Sequence, residues 1–223
     1  MSEESAFPVR LIEGYRDFLE GRMPLERDRF HVLASRGQSP DTLVIGCCDS
    51  RVSPEVIFDA HPGELFVVRN IANLVPPFSP DGMCHGVFAA LEFAVQVLHV
   101  RHIVVLGHAH CGGIRAFAEH GPPLAPGDSI HRWMSMMGQA AALAGPPQGD
   151  DYLVRLERAS IAHSLDNLLT FPYVAGAVQR GALALHGAWF DVATGQVLVR
   201  TPEGYVEAAE LGASLTSRSV VNL

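Results

Sequence analysis

The chain has 223 residues, enough for one full hydrophobic core with short appendages. Hydrophobic residues make up 48% and charged residues 18%, which excludes a disordered chain. A formal net charge of -8 argues against nucleic acid or an anionic membrane as partner.

The opening residues, Met1 to Pro8, lack a basic stretch followed by an apolar core, so no signal peptide is expected there. No apolar run reaches the length of a membrane span, and the expected compartment is the cytoplasm. Residues 9–23 form an amphipathic pattern that predicts a helix, ended by Pro24. A polar loop at 35–40 leads into a buried strand at Leu43, Val44 and Ile45. Residues 64–69 predict a second strand. Residues 86–98 are apolar nearly all round and predict a buried helix. Residues 103–106 predict a third strand, and a helix starts at 112. Residues 121–127, with three prolines, read as a loop. Helices are expected at 130–143 and 152–170, split by a loop at 145–149, with a shorter one at 174–180. Two strands at 182–190 and 196–201 close the chain, with Thr194 and Gly195 marking a hairpin.

Apolar strands alternating with helices predict an α/β fold, a mainly parallel sheet flanked by helices on both faces. The expected organisation is a single domain over 1–223, with 1–34 as a helical arm and 35–223 as the α/β core. The arm's helix is separated from the core by polar residues, and so is placed to pack on a partner subunit.

Two short segments carry the chemistry. Cys-Cys-Asp-Ser-Arg occupies 47–51, just after the first buried strand; His-Ala-His-Cys-Gly-Gly occupies 108–113, just after the third. Two thiols and an imidazole therefore emerge at strand ends. The four cysteines are Cys47, Cys48, Cys84 and Cys111. Adjacent cysteines fit a disulfide framework poorly, and clustered Cys and His read as metal ligands or reactive thiols. Zinc favours thiolate and imidazole in tetrahedral geometry. Cys47 and Asp49 are two apart on a loop; His108 and Cys111 have H-x-x-C spacing at a strand-to-helix turn, where Gly112 and Gly113 are expected to allow the tight turn. A buried cysteine is ordinarily a small hydrophobe, but four ligand-type residues at two strand ends outweigh that reading. Asp49 and Arg51 are spaced to pair directly, either as a plain ion pair or as an oriented carboxylate beside the metal.

C-x-D-x-R followed by H-x-x-C-G-G resembles the signature of the β-class carbonic anhydrases. The resemblance continues through Pro-Gly-Glu-Leu-Phe-Val-Val-Arg-Asn-Ile-Ala-Asn at 62–73 and Ser-Leu-Asp-Asn-Leu-Leu-Thr at 164–170, and so spans roughly the whole chain. It implies one zinc ion per chain, held by Cys47, His108 and Cys111, with water as the fourth ligand or, in some members, Asp49. Cys48 stands where small residues are common and reads as a spectator. Gln38 and Phe66 match the plant-type substrate pocket, and Phe93 and Gly112 complete the expected pocket. Val44 stands where the bicarbonate-inhibited subgroup carries Trp, and Phe93 where plant-type members usually carry Tyr. Members are dimers or multiples of dimers, so the resemblance also implies a homo-oligomer whose pocket is partly built by the other subunit.

The implied activity is reversible hydration of carbon dioxide to bicarbonate and a proton, with Asp49 and Arg51 as catalytic residues. Zinc lowers the pKa of bound water, to the known value of about 7 in the three-histidine carbonic anhydrase site. Two thiolates donate more charge than histidines, so a higher value is expected here. His61 and His110 lie near the motifs, and neither is assigned as a proton shuttle. Alternative readings are hydrolysis of carbonyl sulfide or carbon disulfide on the same zinc site, or a non-catalytic bicarbonate-sensing zinc protein. A nucleotide-binding turn at 107–113 is disfavoured, because G-x-G-x-x-G is absent and the turn carries His and Cys.

Overall fold

The structure is a computed structural model that describes residues 7–80, 86–120 and 128–211. The opening residues 1–6, Cys84 and the loop expected at 121–127 lie outside the described residues. Contacts divide the chain into two compact units, one ending at Ser39 and one beginning at Pro40.

The first unit is helical. Helix α1 (Val9–Asp17) passes through a π turn (Phe18–Arg22) into α2 (Met23–Arg36). Pro24 therefore does not end the helix, contrary to the sequence expectation. It lies in the first turn of α2, directly after the π turn, where the regular hydrogen-bond ladder is already shifted. The segment bends there instead. Phe18 and Phe30 meet edge-on with centroids 6.1 Å apart, whereas a straight helix would separate them by about 18 Å along its axis. Gly37, at φ 80°, ends α2 with its N–H on the Leu33 carbonyl.

In the second unit, six strands form one sheet among the described residues: β1 (Thr42–Cys47), β2 (Leu65–Asn70), β3 (His102–His108), β4 (Ala184–Phe190), β5 (Val197–Thr201) and β6 (Gly204–Glu207). The order is β2-β1-β3-β4-β5-β6. The first four strands are parallel; β5 and β6 are antiparallel. β6 was not expected: at four residues it is too short to show a period of two. The apolar runs are continuous because both sheet faces are buried. Leu43 and Ile45 of β1 join Ile103 and Val105 of β3 in one cluster, and Val44, Leu106 and Ala188 form another on the opposite face.

The helices are α3 (Pro54–Ile57), α4 (Gly86–Glu92), α5 (Gly112–His120), α6 (Asp128–Met134), α7 (Met137–Ala144), α8 (Tyr152–Leu168) and α9 (Pro172–Gln179). None described is long and apolar enough to cross a membrane. α8 lies closest to the sheet. A Cβ on Gly107 would stand 2.7 Å from the Ile161 side chain, and one on Gly187 2.8 Å from it, so bare backbone admits Ile161 between β3 and β4. Burying that side chain contributes about 2–3 kcal/mol.

Two expected helices differ. The stretch at 86–98 is α4 followed by a π turn (Phe93–Val97), and it is not buried all round. Val87, Leu91 and Ala94 face the core, while Phe93 is 42% and Val97 57% exposed. The expected helix at 130–143 breaks at Ser135 and Met136, where the Ser135 hydroxyl donates to the Arg132 carbonyl and competes with the helix backbone.

Candidate metal centre

The strand order reverses between β1 and β3, since β2 lies on one side of β1 and β3 on the other. In open parallel sheets such a switch point leaves a crevice at the carboxyl ends of the strands. Cys47 is the last residue of β1 and His108 the last of β3. Cys111 lies three residues on, just before α5. The ligand-type atoms of Cys47, His108 and Cys111 all lie within 4.8 Å of one another, and all three side chains are buried.

The loops that carry them are held by backbone geometry. The left-handed residue of the second loop is His110, at φ 57°. Gly112 and Gly113 open α5 instead, which corrects the expectation that they make the turn. Gly113 is needed for packing, because a Cβ there would stand 2.9 Å from Ile71. On the first loop the Arg69 guanidinium donates to the Cys47 and Asp49 carbonyls at 2.8 and 2.7 Å. The Cys48 N–H donates to the Asn70 carbonyl, and the Cys48 side chain is exposed.

The three side chains share electrostatics that would suit a cation. The Cys47 and Cys111 sulfurs are 3.9 Å apart. Cys47 is pulled down to about 4, first by the hydrogen bond from Cys111 and then by His108 and the backbone N–H groups of Asp49 and Ala72, against the opposing effect of burial. Cys111 is pushed up by the same sulfur–sulfur contact and by burial. The two sulfurs thus face each other across a space that a cation would fill. His108 Nδ1 donates to the Ala109 carbonyl at 2.9 Å, which fixes the tautomer with Nε2 as acceptor. Burial lowers the His108 pKa, but Cys47, the Ala109 carbonyl and Asp49 outweigh it and leave it raised. That Nε2 is buried without a hydrogen-bond partner among the described residues. An orphaned imidazole nitrogen beside two thiols is the chemistry of a tetrahedral zinc site.

Asp49 stands at the edge of this group, its Oδ2 4.0 Å from His108 Nε2. Both its oxygens are taken by Arg51, Nε to Oδ1 at 2.9 Å and Nη2 to Oδ2 at 2.7 Å, with the Arg51 N–H also donating to Oδ1 at 3.0 Å. Arg51 holds the Asp49 carboxyl well below the usual carboxylate range. Its Nη2 also donates to the His110 carbonyl at 3.2 Å, tying the two motif loops together.

One residue of this site was missed in the sequence. Glu157, on α8, is 1% exposed. It accepts from the Cys111 N–H at 3.3 Å and from the Trp189 indole at 3.2 Å. Burial pushes its pKa up. The Arg158 guanidinium sits over the Trp189 ring at 4.9 Å. The available signal was an acid on the apolar face of a helix, four residues before Ile161.

The expected pocket residues are less concentrated. Phe66, on β2, packs on the cluster of Leu43 and Ile45, and its ring meets Phe93 at 5.9 Å. Gly112 is exposed beside Cys111. Gln38 is exposed and belongs to the first unit.

Comparison with known proteins finds the chain similar to carbonic anhydrases. The family model described as carbonic anhydrase matches residues 42–197. Beta carbonic anhydrase 5, chloroplastic, of Arabidopsis thaliana is 42% identical over 162 residues, covering 69% of this chain. The match spans only 52% of that relative's own length. A carbonic anhydrase of Pseudomonas aeruginosa is 37% identical over 190 residues, 84% of each chain. Among solved structures, one of two tetrameric β-carbonic anhydrases from Sordaria macrospora superposes with a TM-score of 0.73 at 27% identity, covering 85% of this chain and 94% of that one.

Proposed function

The chain belongs to the β-class carbonic anhydrases, and from that premise we propose that it catalyses the reversible hydration of carbon dioxide to bicarbonate with one zinc ion per chain. The observation that carries this reading is the buried Cys47–His108–Cys111 group at the switch point, with a clamped carboxylate 4.0 Å from His108 Nε2.

Cys47, His108 and Cys111 would hold the zinc. When bound, zinc supplies a Lewis acid that makes water nucleophilic near neutral pH. The protein's own residues do the rest. Ala109 fixes the His108 ring so that Nε2 faces the group. Asp49 stays ionised and accepts a hydrogen bond from the attacking water, while Arg51 keeps it turned away from the ligand set. A carboxylate so strongly stabilised orients a proton donor well and stores a proton poorly, so protons leave the site by another route. Phe66 and Phe93 lie about 13 Å along the sheet from Cys47 in the same chain, so in this reading they give carbon dioxide, which has no charge to bind, an apolar wall at the site of a neighbouring copy. Gly112 leaves the mouth free of a side chain.

The proposed partners are the small-molecule substrate and further copies of this chain, built up from dimers, in the cytoplasm. Exposed apolar side chains support the oligomer. Phe7, Val9, Leu11, Tyr15 and Leu25 in the first unit, and Phe93 and Val97 in the second, lie bare in the single chain. The N-terminal helix packs on the partner subunit in this reading.

Zinc analysis and carbon dioxide hydration on Asp49→Ala and Arg51→Ala test it. Both variants retain zinc and lose most activity; full turnover in Asp49→Ala at neutral pH would remove the proposed role of the pair.

A further inference from the structure

Far from this centre, β3 and β4 bring two histidines together at the other end of the sheet. His102 is the first residue of β3 and His108 the last, which places His102 about 20 Å from the candidate metal centre. His102 pairs with Ala184 and Val104 with His186, so both imidazoles project from the same face, one pleat apart. His102 Nδ1 and His186 Nε2 face each other at 3.1 Å. The ring centroids are 5.2 Å apart and the planes inclined by 48°. His102 is exposed and His186 half-buried.

Two imidazole nitrogens bound to one transition metal at about 2.0–2.1 Å stand about 2.9–3.4 Å apart, between square-planar and tetrahedral geometry. The observed separation falls inside that range. We propose that His102 and His186 form a second cation site, which takes a late first-row divalent ion (nickel, copper or zinc) with water completing the coordination. Imidazole suits these ions, whereas calcium and magnesium require oxygen ligands. Asp41, close enough to sense the His102 charge, is engaged by Arg101 through both oxygens. Of these groups, that leaves the two imidazoles among the described residues, with solvent, as ligands. The partial burial of His186, together with the facing His102, lowers its pKa and keeps its lone pair free of protons at neutral pH. A bound ion ties the beginning of β3 to the beginning of β4 and leaves the Cys47–His108–Cys111 group untouched.

The test is calorimetric titration of the zinc-loaded protein with nickel ions, followed by dialysis and metal analysis. The site predicts about one nickel per chain beyond the resident zinc. Affinity falls at least about tenfold in His102→Ala and in His186→Gln, with zinc content and carbon dioxide hydration unchanged in both. His102 is exposed, so its variant gives a reading even where His186→Gln folds poorly. If the wild-type protein binds no second ion, the two rings share only a hydrogen bond and the proposal fails. If the second nickel persists equally in the His102 variant, the ion sits elsewhere and the proposal fails again.

Discussion

His108 shows how single atoms define the site. One ring nitrogen is spent on the Ala109 carbonyl, and the other is buried with no hydrogen-bond partner among the described residues. Replacing His108 or Cys47 by Ala removes a ligand from a preformed group. Both variants should lose zinc and melt at lower temperature together, as metal analysis and thermal unfolding would show. Zinc retained at one per chain in either variant would exclude that residue as a ligand. Glu157 makes a different prediction. It braces the Cys111 loop from behind while accepting from Trp189. Glu157→Gln turns one of these acceptors into a donor, at a cost of about 1–3 kcal/mol, and zinc should leave faster in a chelator assay. Unchanged stability and zinc release would reduce Glu157 to a bystander. The Cys47–His108–Cys111 group was legible in the sequence because all three residues fall in two short motifs at strand ends. Glu157 was not, because its partners lie 46 and 32 residues away, and its place on the apolar face of its helix marks it as buried without saying what it binds.

At the scale of elements, the parallel strands were legible as continuous apolar runs, since burial on both faces leaves no alternation to confuse them. The misreadings have local causes. Pro24 suggested a stop, yet proline is tolerated in the first helical turn and here bends the chain. Gly112 and Gly113 suggested a turn, yet the left-handed residue is His110 and Gly113 serves close packing. The all-apolar stretch at 86–98 suggested full burial, yet a single chain covers only one of its faces. The approach of α8 to the sheet is testable in the same terms. Gly107→Ala puts a methyl group against Ile161 and should cost about 1–3 kcal/mol in denaturant unfolding, partly recovered when Ile161 is shortened to Val. No recovery in the double variant would mean that the contact is not the cause. The half-buried His186 adds a pH dependence. Its folded-state pKa is lowered by burial and by His102, so the unfolded chain takes up the proton first. Stability therefore falls as pH drops through the ordinary histidine value of about 6.5. His163, also lowered by burial, adds to the same decline. The slope of melting temperature between about pH 7 and about pH 5 should be shallower in His186→Gln, and an equal slope would contradict this.

For the whole molecule, the chain's apolar surplus lies on surfaces that one copy leaves bare. Phe93 and Val97 on the π turn, and the apolar residues of α1, point to assembly. Sedimentation should show a dimer or a multiple of it, and a monomer at micromolar concentration would contradict that. The central claim is narrower: Cys47, His108 and Cys111 would hold a zinc that supplies the Lewis acid for carbon dioxide hydration, while Arg51 holds the Asp49 carboxylate. Stopped-flow hydration of carbon dioxide from about pH 6.5 to about pH 9, on protein of measured zinc content, tests it most directly. The account predicts turnover already present near neutral pH and rising above it. Turnover appearing only above about pH 8 would put Asp49 on the metal at rest and contradict the Arg51 clamp. No turnover at any pH, with one zinc per chain, would contradict the activity itself.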